Sequence, residues 1–259
     1  MSSTIAEIEL HVPNWWVLYV AECDAEFKHK PALKHPVHTI VRHYPGHCST
    51  AMLAVINCRF RPLLHSIEAG GRGMRVSFSS HQPKFAQHYV FLHGGHGQEF
   101  APSLADAAVL LRQCKREAAV VMLGDLNVDL LPTLTLDPFA GHLRRGEKHM
   151  AERMLYYEFL RVTGLKEEIP GMVGNPGGAF GHQDFNCAPI SRVPLGDSSG
   201  LPALLDHYAH KHCEQPEGSL SWHLQSGDHA FLCVRIPAKT NVWRVRPRST
   251  WRCCNMDDT

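Results

Sequence analysis

Ala119-Val120-Val121-Met122-Leu123-Gly124-Asp125-Leu126-Asn127 is the stretch on which the reading of this chain turns. Five apolar residues in a row, without alternation, describe a strand covered on both faces, and Gly124-Asp125 ends it. Asp125 and Asn127 are therefore predicted at the carboxyl end of a buried strand, two residues apart and on one side of it. That end of a strand is where layered α/β proteins hold ligands. Taken alone, the four residues Gly-Asp-Leu-Asn read equally well as a turn leaving a strand.

Working outward, apolar runs at Val17 to Val20, Ala51 to Cys58, Met74 to Phe78, Tyr89 to Leu92 and Phe231 to Ile236 predict further strands. Two helices are predicted between them. Ser103 with Asp106 resembles a capping box, after which Leu104, Ala107, Ala108 and Leu111 share a face. The second helix runs from about Glu147 to Thr163, carries Ala151, Leu155, Phe159 and Val162 on its apolar stripe, and stops at Gly164. From Gly171 to Pro202 the chain is rich in Gly, Pro and Ser, which predicts a long, substrate-contacting loop region. The organisation expected is one folded unit over 10–240 and a basic tail over 241–259. In that tail Trp243, Arg244, Arg246, Arg248, Trp251 and Arg252 interleave, a composition that suits phosphate contacts and base stacking, although such runs are more commonly solvated.

Composition narrows the classes. The 259 residues are 44% hydrophobic and 20% charged, as in an ordinary globular protein, and no low-complexity linker divides them. No apolar run approaches the roughly 20 residues of a membrane helix, so no membrane partner is expected. Glu7 and Glu9 stand where a secretory leader would be basic. Nine cysteines, odd in number and irregularly spaced, argue against a disulfide framework and for a reducing compartment, the nucleus or cytoplasm. A formal net charge of +1 means that a polyanion would be gripped by local basic patches rather than by the whole molecule. Among the 19 histidines, His93 with His96 and the His207, His210, His212, Cys213 stretch lack the paired spacing of a zinc site, and no Cys-x-x-Cys occurs.

Four more residues join Asp125 and Asn127. Glu22 follows the strand Val17 to Val20 after one small residue, Asp228-His229 immediately precedes the strand starting near Phe231, and Asp206 ends the apolar step Leu204-Leu205. Each alone is most simply a solvated acid or a turn. Together, strand-end acids with a histidine match what phosphodiester hydrolysis demands. A divalent cation must neutralise charge on the phosphate and on the leaving oxygen, and Mg²⁺ takes hard oxygen ligands. A water must also be held in line and deprotonated, and a carboxylate-paired histidine can bind phosphate or move a proton.

At these residues the chain resembles the endonuclease/exonuclease/phosphatase superfamily, which includes deoxyribonuclease I and the abasic-site endonucleases, and is most similar to the endonuclease domains of non-LTR retrotransposons. The resemblance runs from Trp16-Val17-Leu18-Tyr19-Val20-Ala21-Glu22 to Gly227-Asp228-His229. It implies a four-layer α/β/β/α sandwich with the site at one end of the two sheets. It also implies metal ligation by Glu22 and Asp228, water activation at Asp125 with Asn127, and an Asp206–His229 pair. His93 would lie near the phosphate. Ala21 and Gly227 stand where the family has Gln and Ser, and the family's Asn-bearing first strand is missing or atypical before Trp15. The retrotransposon subgroup is carried by Gly124 to Pro132, by Ala188 to Arg192 with Leu205-Asp206, and by Trp251-Arg252-Cys253.

The expected activity is thus a Mg²⁺-dependent DNA endonuclease, with Mn²⁺ as a substitute, that makes single-strand nicks as a monomer or as part of a larger polyprotein. The alternatives are a phosphomonoesterase or phospholipid-type phosphodiesterase of the same fold, acting on a phosphorylated small molecule or lipid, and a catalytically inactive nuclease-like remnant.

Overall fold

A computed structural model describes residues 2–12, 14–23, 37–44, 51–81, 84–129, 150–173, 190–192, 203–226 and 229–237. Its centre is a six-stranded sheet in the order β4 (Leu64–Gly70), β5 (Gly73–His81), β6 (Lys84–Leu92), β7 (Ala119–Asp125), β10 (Asp206–Lys211), β8 (Lys166–Glu168). A sheet of β1 (Val17–Cys23), β3 (Ala51–Ile56) and β2 (Thr39–His43) stacks against one face. A third sheet holds β12 (His229–Arg235), β11 (Glu217–Ser226) and β9 (Gly171–Val173).

Alternation along the central strands explains the layers. Val90, Leu92, Val120 and Met122 face α2 (Phe100–Arg112) and α3 (Met150–Thr163), meeting Leu104, Ala107, Leu111, Tyr156 and Leu160. Phe91, with Met74, Val76 and Phe78, faces the other way and packs on Met52, Ala54 and Ile56 of β3. Because both faces are covered, β3 and the middle of β7 are apolar throughout, as the sequence predicts. On the outer face of the β1–β3 sheet, Ile5 and Ile8 of α1 (Ser2–His11) pack with Leu18 and Val55, and Phe231 of β12 joins the same cluster. Helix, sheet, sheet, helix is the sandwich expected.

Three local readings are corrected. Ser103 caps nothing, because α2 starts at Phe100 after a 3₁₀ turn, Gly97–Glu99. Its buried hydroxyl instead donates to Glu99 O and accepts the Gly95 N–H, while Asp106 accepts the Arg72 N–H. On α3 the buried face is Arg153, Tyr156, Phe159 and Leu160, and of the expected stripe Ala151, Leu155 and Val162 are exposed. The stripe is rotated because Arg153 turns inward to donate to Asp129 O at 2.6 Å. Its stop at Gly164 is as read, with φ of +68°. Thirdly, Gly171–Val173, at the start of the expected loop, is a strand pairing in parallel with β11. Residues 174–189 and 193–202 of that loop, and the tail 241–259, lie outside the described residues.

Two features orient the strands toward one edge. β6 and β7 run parallel, with Phe91 beside Leu123, and β10 runs antiparallel to β7, with Asp206 directly opposite Asp125. Across the sandwich Trp16 meets Phe85 and Tyr19 stacks on Phe91 at 4.7 Å, so β1 advances in the same direction as β6. The carboxyl ends of β1, β6 and β7 and the start of β10 consequently share one rim.

Candidate active site

The rim is built around the Gly-Asp-Leu-Asn turn. Gly124 has φ of +151°, and a Cβ there would come within 1.9 Å of Leu92 O, so only glycine lets the end of β6 close on β7. The two chains are then zipped together: Gly94 N–H donates to Asp125 O at 2.7 Å, and Asn127 Nδ2 donates to Gly94 O at 2.8 Å. Asn127 does not continue the strand on the side of Asp125, as the period of two predicts. It sits at φ of +55°, a left-handed conformation that asparagine tolerates, and its N–H donates to Asp125 Oδ1 at 2.8 Å. The carboxylate folds the turn over itself, and a strand-period argument has no access to that.

Asp206 reaches the rim from the antiparallel neighbour and holds His229: Nδ1 lies 2.9 Å from Asp206 Oδ2, both groups partly buried. Contacts from Ser191 and Arg192 fix that pair. Ser191 is fully buried, and its Oγ accepts the N–H groups of both Leu205 and Asp206, at 2.8 and 2.9 Å. Its carbonyl accepts the Ala230 N–H at 2.7 Å, and Arg192 forms a bridge with His229. A single residue therefore ties the start of β10 to the start of β12. Sequence reasoning did not select Ser191 as a site residue; serine between Ile190 and Arg192 leaves no periodic signal, and its role exists only once β10 and β12 meet.

Asp125 is buried, and its proton affinity reflects the company it keeps. Burial first, and then the Asp206 charge, push its pKa up from 3.8 to about 6, against the pull of His229, the Asn127 N–H and His93. His93 is buried beside it, its N–H bonded to Arg72 O. The structure thus brings Asp125, Asn127, Asp206, His229 and His93 to one edge. Of the remaining two candidates, Glu22 closes β1 at the same rim, within a β-bulge between Val20 and Cys23. Asp228 lies outside the described residues, directly before His229 in the chain.

Among the described residues no group of three or more His, Cys, Asp or Glu would hold a metal ion. The donor chemistry nevertheless fits a hard divalent cation: a buried carboxyl already crowded by a second carboxylate, on the rim where the Glu22 strand ends, is a concentration of negative charge that such an ion relieves.

No family model matches the chain, and no curated protein matches it by sequence. Solved structures do match by shape. The AP endonuclease LMAP from Leishmania major aligns with a TM-score of 0.62 at 16% identity, over 92% of this chain and 82% of that one. The endonuclease domain of TRAS1, a telomere-specific non-LTR retrotransposon, aligns at 0.59 and 11% identity, over 92% of both chains. An AP endonuclease from Archaeoglobus fulgidus aligns at 0.54 and 13% identity, over 90% of this chain and 93% of that one. The chain has the deoxyribonuclease I-like fold. Ahead of β1 the described residues form the helix α1. That helix runs from Ser2 to His11, and its Ile5 and Ile8 pack on Leu18 and Val55. No helix is long and apolar enough to cross a membrane among the described residues.

Proposed function

We propose that the chain is a divalent-metal-dependent phosphodiester hydrolase that nicks one strand of DNA, in the manner of a retrotransposon endonuclease. The observation that carries this reading is the Asp206–His229 pair set beside the buried Asp125 carboxyl on one rim of a deoxyribonuclease I-like fold. The names of the matching structures, two AP endonucleases and a retrotransposon endonuclease domain, support DNA as the substrate. Such a substrate places the work in the nucleus or cytoplasm, by a monomer or by one piece of a larger polyprotein.

In this reading Glu22 and Asp228 hold Mg²⁺, or Mn²⁺ in its place, and the cation supplies charge neutralisation at the phosphate. Asp125, titrating near 6, accepts a proton from the attacking water at neutral pH, where it is ionised yet basic enough to matter. Asn127, anchored through Nδ2 on Gly94 O, keeps its amide oxygen for orienting that water. Asp206 fixes the His229 ring through Nδ1, which leaves Nε2 for a phosphate oxygen or for proton transfer. His93 adds a further ring at the phosphate side. The tail over 241–259 would add phosphate contacts and stacking.

Supercoiled plasmid incubated with the protein tests the proposal. Nicked circles are expected with Mg²⁺, none with chelator, and none from His229→Ala. Hydrolysis of inositol phosphates or phospholipids in place of plasmid would move the substrate to the phosphatase branches. No hydrolysis in Mg²⁺ or Mn²⁺ would leave a nuclease-like remnant.

A further inference from the structure

His207 belongs to the histidine-rich stretch that reads as a weak zinc signal in the sequence. In the fold it follows Asp206 on β10, and by the period of two it faces the opposite side, into the layer under α3. The ring is buried. Nε2 lies 2.8 Å from Val128 O, and Nδ1 lies 3.3 Å from Glu167 Oε1 on β8. Both neighbours are acceptors, a carbonyl oxygen in hydrogen-bond contact and a carboxylate oxygen at ion-pair distance, an arrangement that favours the ring protonated on both nitrogens, an imidazolium.

A second buried histidine makes the contrast. His88 Nδ1 is 2.8 Å from Ser77 Oγ, and its Nε2 accepts the Lys115 N–H at 3.2 Å, so that ring is neutral. Burial, then Arg75 and Lys115, push its pKa down to about 4. For His207 burial also opposes the charge, but Glu167, the Val128 carbonyl and Asp206 outweigh it and raise the pKa. The other groups facing His207 do not compete for its proton. Tyr156 of α3 has its phenol pushed far above the usual range by burial and Glu167, so it stays neutral, and Arg153 is occupied with Asp129 O.

The carbonyls held in this way are consecutive. Val128 O takes His207 and Asp129 O takes the Arg153 Nε, one and two residues beyond Asn127. A segment leaving an active rim ordinarily gives its carbonyls to water; here two in a row are gripped from behind by buried cationic side chains.

We propose that Glu167 and His207, together with Arg153, form a charged strut that fixes the exit of the Gly-Asp-Leu-Asn turn and so holds Asn127 and the Asp125 carboxyl in working geometry. They are positioning residues, since none reaches the reacting atoms. The inference rests on the hydrolase reading for its consequence but not for its test.

Two arms test it. In ¹⁵N-labelled wild-type protein at pH 7.5, the His207 ring is expected with both nitrogens protonated, and the Asn127 backbone N–H protected from exchange. Glu167→Gln should remove the second ring proton and speed Asn127 exchange by roughly 10–100-fold, the range set by losing a buried charge partner, while Val76 in the central sheet keeps its rate. In the nicking assay kcat should fall about 10–100-fold with KM nearly unchanged, the signature of a misplaced rather than missing group, and Glu167→Asp should recover most of it. A neutral His207 ring in the wild type overturns the proposal even if every variant misfolds. So does a folded Glu167→Gln protein with wild-type Asn127 exchange. A wild type that nicks nothing overturns the hydrolase reading, and the exchange arm still decides the strut.

Discussion

The two ends of the sandwich are made from the same strands and do opposite things. At the base, where β1 begins, Trp16 stacks on Phe60 at 4.5 Å and meets the edges of Phe78 and Phe85 at 5.2 and 6.2 Å. Burial of those rings stabilises the fold at roughly 25 cal/mol per Å² of apolar surface, with a further gain from ring geometry. At the rim, where β6 and β7 end, a carboxyl is buried beside a second carboxylate and two histidines. The folded state is penalised for ionising it. The strands thus gather stability at one end and spend part of it on preorganised charge at the other, which allows either to be perturbed separately.

The sharpest break in that comparison is chemical. His229→Ala or Asp206→Ala is expected to lower the nicking rate about 10²–10⁴-fold, as for a lost acid–base group, with the melting temperature of the base-anchored sheets little changed. The converse is Phe78→Ala at the base: Phe78 is fully buried, so stability by urea unfolding should fall by about 3–5 kcal/mol while kcat of the protein that remains folded is kept.

Asp125 sharpens the comparison through pH. Its pKa is 3.8 when exposed and about 6 in the fold, so between those values the unfolded chain has released a proton that the native state retains. Raising pH through this window therefore destabilises the fold, with the penalty absent below the lower value and complete above the upper. Asp125→Asn should be inactive, yet more stable than wild type at pH 8 by on the order of 2 kcal/mol, the gap closing by pH 4. The opposite order of melting temperatures at pH 8 would contradict a strained rim. In the wild type, nicking should rise with pH through about 6, shifted lower by bound cation.

Smaller effects mark the border between the regions. Ser191→Ala strands the N–H groups of Leu205 and Asp206 and should lower stability by roughly 1–2 kcal/mol, with kcat falling as Asp206 drifts from His229. Far from both ends, the exposed Arg235–Glu217 pair should contribute under about 0.5 kcal/mol, and Glu217→Gln should leave activity unchanged.

Legibility in the sequence followed burial. β1, β3, β5, β6, β7 and β12 announce themselves because they are apolar runs in doubly covered or core-facing positions. β2, β4 and β10 do not, since Thr39–His43 and Leu64–Gly70 are half-buried outer strands, and β10 reads Asp-His-Tyr-Ala-His-Lys. That strand is polar because it carries the rim acid on one face and the strut histidine on the other. The apolar stripe of α3 was misplaced for a similar reason: a buried arginine, satisfied by a backbone carbonyl, occupies what periodicity reserves for a hydrophobe.

By itself the sequence determined the layered class, the order of the chemistry-bearing residues and the type of site they suit, because strand periodicity and side-chain chemistry are local properties. Only the tertiary structure decided that Asp206 stands opposite Asp125 and that Ser191 and His207 support the rim, and it set at 2.9 Å the Asp206–His229 pair that the resemblance implies. Those relations depend on strand register and on long-range backbone hydrogen bonds, and neither leaves a trace in the spacing of residues along the chain.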